Sequence, residues 1–318
     1  MRNLYTLLPN EDLMGFVGRI HYLGPFQAFE DTRQRLGLTT RLLKAGEVTY
    51  KDEYKVSQLL GHSLESLASN HTSRNLLRYC MTRDELNKFS DPSTTNKMPK
   101  ITFFDSKSVV KLPWRWCPEC VDADVAEFGC SYYHRNHQLL GVHNCYKHGC
   151  LLYSECKNCD FRIDTIKQAY VPPVDNKCPC CGSTEFLGQD YISDKMHQVE
   201  SYVLLMAEGK LDLNFERIAA SVCEHIGINE QSILARTGGK SVRAFNRRML
   251  NFFGLDDLSQ YFSFVIEYND KLKCRTLCNS RTYDIRFKYT PAHPVVYAML
   301  LVYLDHHHHH HESQLLAA

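Results

Sequence analysis

A mainly α-helical fold with a small cysteine-rich centre is what this sequence predicts, on three observations. Apolar residues recur at helical spacing before residue 80 and again after residue 191. Between Cys117 and Cys181 the chain instead carries paired cysteines and one well-spaced histidine, in two successive sets of four. Hydrophobic residues make up 44% of the 318 and charged residues 23%, which provides for buried cores and argues against wholesale disorder. The expected organisation is an N-terminal helical, helix-turn-helix-like domain over 1–90, a linker over 91–112, and a tandem zinc-binding module of zinc-ribbon or zinc-finger type over 113–190. A C-terminal helical domain with a helix-turn-helix-like basic helix follows over 191–304, then a His-rich tail or tag over 305–318.

In the first domain Asn10 is placed to cap a helix whose first turn carries Glu11 and Asp12, with Leu13, Phe16, Val17 and Ile20 forming its apolar stripe. A second helix is expected over Phe26 to Leu36. Ser63 caps a third, with Leu64, Leu67 and Ala68 inward, and Leu76 and Leu77 lie on a fourth. Asp91-Pro92-Ser93-Thr94-Thr95-Asn96 is polar and turn-forming, hence the linker. After residue 191, helices are expected over Met196–Ala207, Phe215–His225, Ser232–Arg236, Val242–Phe253 and Leu258–Ile266.

The central segment carries the chemistry. Cys117-Pro118-Glu119-Cys120 and Cys145-Tyr146-Lys147-His148 each offer two ligands across a tight turn, which together suit a tetrahedral ion. Cys156-Lys157-Asn158-Cys159 pairs with Cys178-Pro179-Cys180-Cys181, where Cys178 and Cys181 make the C-x-x-C turn and Cys180 is a bystander. Zinc accepts both thiolate and imidazole, and a reducing cytosol favours metal ligation over disulfides. Two structural zinc ions are therefore expected. Cys80, Cys130, Cys223, Cys274 and Cys278 read as small buried hydrophobes. Cys150, two residues past His148, is an alternative fourth ligand for the first set. Each ion has four protein ligands and no open position, and H-E-x-x-H is absent. A zinc-dependent enzyme is thus the third-ranked reading.

Net charge is +1, so a nucleic-acid surface must be a local patch. One candidate lies between Gln231 and Leu250, which carry Arg236, Lys240, Arg243, Arg247 and Arg248 and no acidic residue. On a helix starting near Ser241, with Ser241 as N-cap, Arg243 and Arg247 share a face while Val242, Phe245, Met249 and Leu250 line the other. A DNA-contacting helix and a merely solvated basic face fit this pattern equally. Gly238-Gly239-Lys240-Ser241 resembles the end of a phosphate loop, but Leu234 stands where the first glycine is required. No apolar run of about 18 residues marks a membrane span, and Met1 to Tyr5 lack a signal-peptide core, so a cytoplasmic chain is expected, nucleoid-associated if the basic helix contacts DNA.

Several motifs together resemble the TniQ/TnsD family. They are Arg115-Trp116-Cys117-Pro118-Glu119-Cys120, Tyr133-His134-Arg135-Asn136-His137-Gln138, and Cys145-Tyr146-Lys147-His148-Gly149 with Leu151-Leu152. Leu8-Pro9-Asn10-Glu11-Asp12-Leu13 is similar to the family's opening helix, and Leu64-Glu65-Ser66-Leu67 with His71-Thr72 to its first helix-turn-helix. Phe245, Phe252-Phe253-Gly254 and His293-Pro294 resemble downstream TnsD segments. Cys130 and Tyr133 depart from the family's usual glutamate and tryptophan. The resemblance implies a non-catalytic target selector for DNA transposition that recruits the AAA+ ATPase TnsC. Either it binds double-stranded attachment-site DNA itself, or it couples an RNA-guided CRISPR Cascade complex to TnsC, as a homodimer in one arrangement. Leu8, Pro9, Glu11 and Asp12 are the expected TnsC contacts, and His137 a packed, hydrogen-bonded histidine.

Overall fold

The computed structural model describes residues 5–38, 44–46, 50–79, 112–188, 192–211, 213, 215–227, 239–261 and 294–308. They fall into two compact units. One is built chiefly from Met1–Asn75 and Lys111–Ile192, the other from Ser193–Ala318 with Leu76–Lys88. The fold is mainly helical, as expected, and the only ladder among the described residues is a two-stranded antiparallel pair.

In the first unit, α1 spans Leu13–Leu23. Its N-cap is Asp12, whose carboxylate accepts from the backbone N–H groups of Met14 (2.9 Å) and Gly15 (3.2 Å). This corrects the expected cap at Asn10. Asn10 has φ +56°, and its Oδ1 accepts from the Asn136 N–H at 3.0 Å. Glu11, the next residue, pairs as a β-bridge with His134, and Asp12 is itself extended (φ −63°, ψ 137°), so the helix cannot begin at Asn10. Leu13, Phe16, Val17 and Ile20 are buried, as their spacing requires. The helix lies so close to the 165–172 segment that a Cβ on Gly18 would stand 2.5 Å from the Tyr170 carbonyl.

α2 (Phe29–Arg35) starts later than the expected Phe26, because the chain is still extended at Ala28. α3 (Tyr50–Leu60) was not anticipated. Its buried face mixes Tyr50 and Val56 with Asp52, Glu53 and Ser57, which hides the apolar stripe. Gly61, at φ +71°, turns the chain into α4 (Leu64–Asn70), where Ser63 caps by accepting from the Ser66 N–H at 3.1 Å. Leu67 and Ala68 are buried and Leu64 half-buried. α5 is the single turn Arg74–Leu77, with Leu76 buried.

α6 (Pro118–Phe128) opens the cysteine-rich segment, and β1 (Glu155–Cys156) pairs with β2 (Phe186–Leu187). Trp114, Trp116, Tyr133, Ile163, Ile166 and Phe186 join the α1 stripe in one core. The N-terminal helix and the cysteine-rich segment therefore bury one another.

In the second unit, α7 (Asp194–Glu208) is capped by Ser193 and closed by Gly209 in the left-handed region. α8 spans Phe215–Ile226. α9 (Gly239–Ser259) is interrupted at Gly254, with φ 80° and ψ 169°. α9 already includes Gly239, so Ser241 is inside the helix and not its cap. Leu258 and Ser259 end α9, and the remainder of the expected Leu258–Ile266 helix is largely outside the described residues, as is Ser232–Arg236. α10 (Pro294–His308) is buried continuously from Val295 to Leu304. Of the expected linker only Leu112 is described, and Cys80, Cys274 and Cys278 also lie outside. Among the described residues, no helix is long and apolar enough to cross a membrane.

Candidate metal centres

The first cluster joins a helix start to a tight turn. Pro118 occupies the first turn of α6, where its missing N–H costs nothing, and Cys117 is the N-cap. The Cys117 Sγ accepts from the Cys120 N–H at 3.3 Å, which brings both sulfurs to one side of the turn. Facing them, the Gly149 N–H donates to the Cys145 carbonyl (2.8 Å) and the Lys147 N–H reaches the Cys145 Sγ (3.4 Å). His148 Nδ1 then lies 3.3 Å from Cys117 Sγ, 3.4 Å from Cys120 Sγ and 3.6 Å from Cys145 Sγ, and the Cys120 and Cys145 sulfurs are 3.5 Å apart.

The second cluster is a ribbon. Cys156 ends β1 and sits opposite Phe186 of β2, so the ladder sets one ligand turn beside the other. The Asp160 N–H closes the first turn onto the Cys156 carbonyl (3.0 Å), and the Gly182 N–H closes the second onto Cys178 (2.9 Å). Cys156 Sγ lies 3.6 Å from Cys181 Sγ, and Cys159 Sγ 3.6 Å from Cys178 Sγ. Cys180 is exposed and outside the ligand set.

In each cluster all four ligand atoms lie within 4.8 Å of one another. A tetrahedral ion with metal–sulfur bonds of about 2.3 Å separates its sulfurs by about 3.8 Å and a sulfur from a nitrogen by about 3.5 Å. The edges of both clusters fit, and both could hold a metal ion. The electrostatics agree. Hydrogen bonds from Cys117 and Cys120 draw the Cys145 thiol strongly down, while hydrogen bonds with Cys120 first and Cys145 second push Cys117 up. A hydrogen bond from Asn158 is the main cause lowering Cys181, to about 6. One thiol in each cluster, Cys145 and Cys181, is thus drawn toward the thiolate, the form that binds a cation, while Cys117, Cys120, Cys159 and Cys178 are pushed up.

Sequence reasoning missed what supports the first cluster. His134 Nε2 lies 2.8 Å from Asp124 Oδ2 and its Nδ1 lies 3.0 Å from the Tyr146 hydroxyl. A carboxylate only accepts, so Nε2 donates to Asp124, and Nδ1 pairs with the Tyr146 hydroxyl. This chain ties α6 to the turn between Cys145 and His148. Gln138 accepts from the Arg115 N–H (3.0 Å) and donates to the Arg115 carbonyl (2.8 Å), fixing the strand that leads into Cys117. The Arg115 guanidinium donates to the carbonyls of Val142 (2.6 Å) and Leu139 (2.9 Å). Arg135 is buried and donates to the Ser69 carbonyl at the end of α4. His137 is buried beside Cys145, and burial pushes it down to about 4, so it is a neutral packed histidine. The R-x-H-Q spacing signalled these residues but not their partners.

Glu11 and Asp12 are buried inside the unit. Glu11 takes two bonds from Arg19 (2.6 and 2.9 Å) and one from the Leu8 N–H (2.9 Å). Asp12 is the α1 cap, and burial pushes it up to about 7. Pro9 is exposed and Leu8 half-buried. On α9, Arg247 and Arg248 are exposed, Phe245 and Met249 are buried, and Leu250 is half-buried, as expected for an amphipathic helix. Lys240 and Arg243 are on the same helix, and Arg236 is outside the described residues.

A family model described as TniQ matches residues 5–152. That stretch holds α1 to α6 and every ligand of the first cluster, and ends before the second cluster. No curated protein matches the chain.

Proposed function

We propose that this chain, a transposition-associated TniQ protein by its residues 5–152, is a non-catalytic target selector whose two centres hold structural zinc. The observation that carries the reading is the TniQ match across the segment in which R-x-H-Q and both halves of the first cluster interlock. Zinc suits a donor set of seven thiols and one imidazole with near-tetrahedral edges. When bound, it supplies folding free energy to a segment whose described regular structure is one helix of 11 residues, three single 3-10 turns and a two-residue ladder. With four protein donors at each ion, no position remains for water or substrate, so the centres serve shape.

Recruitment of the AAA+ ATPase TnsC falls to the segment around Leu8 and Pro9, because Glu11 and Asp12 spend their carboxylates within the fold. Arg243, Arg247 and Arg248 on α9, with Lys240 and Arg236, provide the phosphate contacts to double-stranded attachment-site DNA. The protein works in the cytoplasm at the nucleoid.

Footprinting on candidate attachment DNA tests this, with and without TnsC and ATP. Protection by the chain alone is expected, and it should weaken steeply with salt. Protection only in the presence of an RNA-guided Cascade complex would replace direct DNA reading with the adaptor role.

A further inference from the structure

The first cluster has more donors than an ion can use. The Cys150 Sγ lies 3.2 Å from the Cys117 Sγ, against 3.3 Å for His148 Nδ1 from the same sulfur. The backbone enforces this approach. Cys145 N–H donates to the Cys150 carbonyl at 2.8 Å, Asn144 bridges Leu151, and Gly149 turns at φ +71°. The chain therefore doubles back over the ligand turn and returns residue 150 to the cluster. Cys117, Cys120 and Cys145 are buried, whereas His148 is exposed and Cys150 half-buried. His148 is the exposed member of the four atoms that lie within 4.8 Å of one another, and Cys150 stands half-buried against Cys117 just outside that set. A four-coordinate ion takes only one of the two as its fourth ligand.

The geometry points to an exchangeable fourth ligand, His148 in one state of the centre and Cys150 in the other. The inference rests on the metal-centre reading above. In the exchange, the Cys150 thiol gives its proton to the departing imidazole. A sulfur–metal bond forms, the Nδ1–metal bond breaks, and nothing is oxidised. The coordination set becomes four thiolates, one unit more negative than three thiolates and a neutral imidazole. A soft thiolate competes well with imidazole for zinc, so neither state is disfavoured by ligand type. The centre should therefore survive loss of its only nitrogen ligand.

The test uses the full chain loaded with cobalt(II), whose thiolate charge-transfer absorption counts sulfur ligands. The second centre contributes a constant four-thiolate background. His148→Ala should keep two ions per chain, as many as there are clusters, and gain the absorption of one further thiolate. Cys150→Ser should keep both ions with the wild-type spectrum or weaker thiolate absorption, and the double variant should lose one ion. Alkylation adds a second readout. Cys150 should be modified several-fold faster in the wild type than in loaded His148→Ala, where it is a ligand. The inference is overturned if His148→Ala keeps only one ion, or if Cys150 is alkylated equally in both. A wild type that holds no metal would instead defeat the metal-centre reading itself.

Discussion

Removing the Glu11 carboxylate should destabilise the first unit far more than an ion pair normally does. Glu11 accepts from Arg19 Nε at 2.6 Å and Nη2 at 2.9 Å, and both side chains are almost wholly buried, at 0% and 4% exposure. Glu11→Ala takes the buried carboxylate away from a guanidinium that cannot deprotonate, a loss of about 3–5 kcal/mol. Glu30 gives an internal control. It meets Arg33 at a comparable 2.9 Å, but its side chain is 47% exposed. Glu30→Ala should therefore cost no more than about 1 kcal/mol. Arg33 is itself buried, at 7% exposure, so the comparison reads the burial of the carboxylate together with its extra bonds from Arg19 and the Leu8 N–H. The assay is urea unfolding followed by tryptophan fluorescence. Trp114 and Trp116, the two tryptophans of the chain, are buried in the core that receives α1, so the signal reports this unit. Combining Glu11→Ala with Arg19→Met should recover part of the loss, since the buried guanidinium is gone. If Glu11→Ala matches Glu30→Ala within error, the buried pair does not hold the N-terminal segment and the reasoning fails.

Three further outcomes are expected. Burial holds His71 neutral, at about 4 against an ordinary 6.5, with Nδ1–H donated to the Glu11 carbonyl at 2.8 Å. The unfolded chain binds that proton first, so the stability His71 contributes is complete above pH 6.5 and is lost as pH falls towards 4, by about 3 kcal/mol. Asp12 and Glu53, each pushed up to about 7 by burial, act with the opposite sign, so the check is the difference between the wild-type and His71→Asn stability–pH curves. A difference that does not change with pH would contradict the assignment. Gly18→Ala should destabilise even though alanine favours helix by about 1 kcal/mol. The new Cβ would meet the Tyr170 backbone carbonyl at 2.5 Å and Ile166 at 2.9 Å, an overpacking cost of about 1–3 kcal/mol, and a raised melting temperature would refute the close approach. Asp124→Asn, which disturbs the hydrogen-bonded chain through His134 to Tyr146, should weaken metal retention about tenfold in a chelator competition. Unchanged retention would make that chain irrelevant to the centre.

Short-range constraints were legible in the sequence and long-range ones were not. Two ligands three residues apart form one turn, so the eight side chains could be named in advance, and the structure gathers those same eight. The α1 stripe and the Ser63 cap are equally local. The α1 cap was misread because its position depends on residues more than 120 positions away. Asn10 is held by Asn136 and Glu11 by His134, which leaves Asp12 to cap. α3 escaped notice because Asp52, Glu53 and Ser57 share its buried face with Val56, and polar burial leaves no hydrophobic period. The roles of Arg115, His134 and Gln138 were invisible for a related reason. Each is defined by a partner on another element, and spacing along the chain does not encode partners.

Metal content tests the central claim most directly. The chain should be purified gently, stripped of ions held loosely by the His306–His311 run with imidazole, and analysed for elements against protein concentration. Two zinc ions per chain are expected, one per cluster, and Cys117→Ser or Cys156→Ser should each lose one ion and unfold the cysteine-rich segment. A soluble, normally melting wild type without stoichiometric zinc would contradict the account.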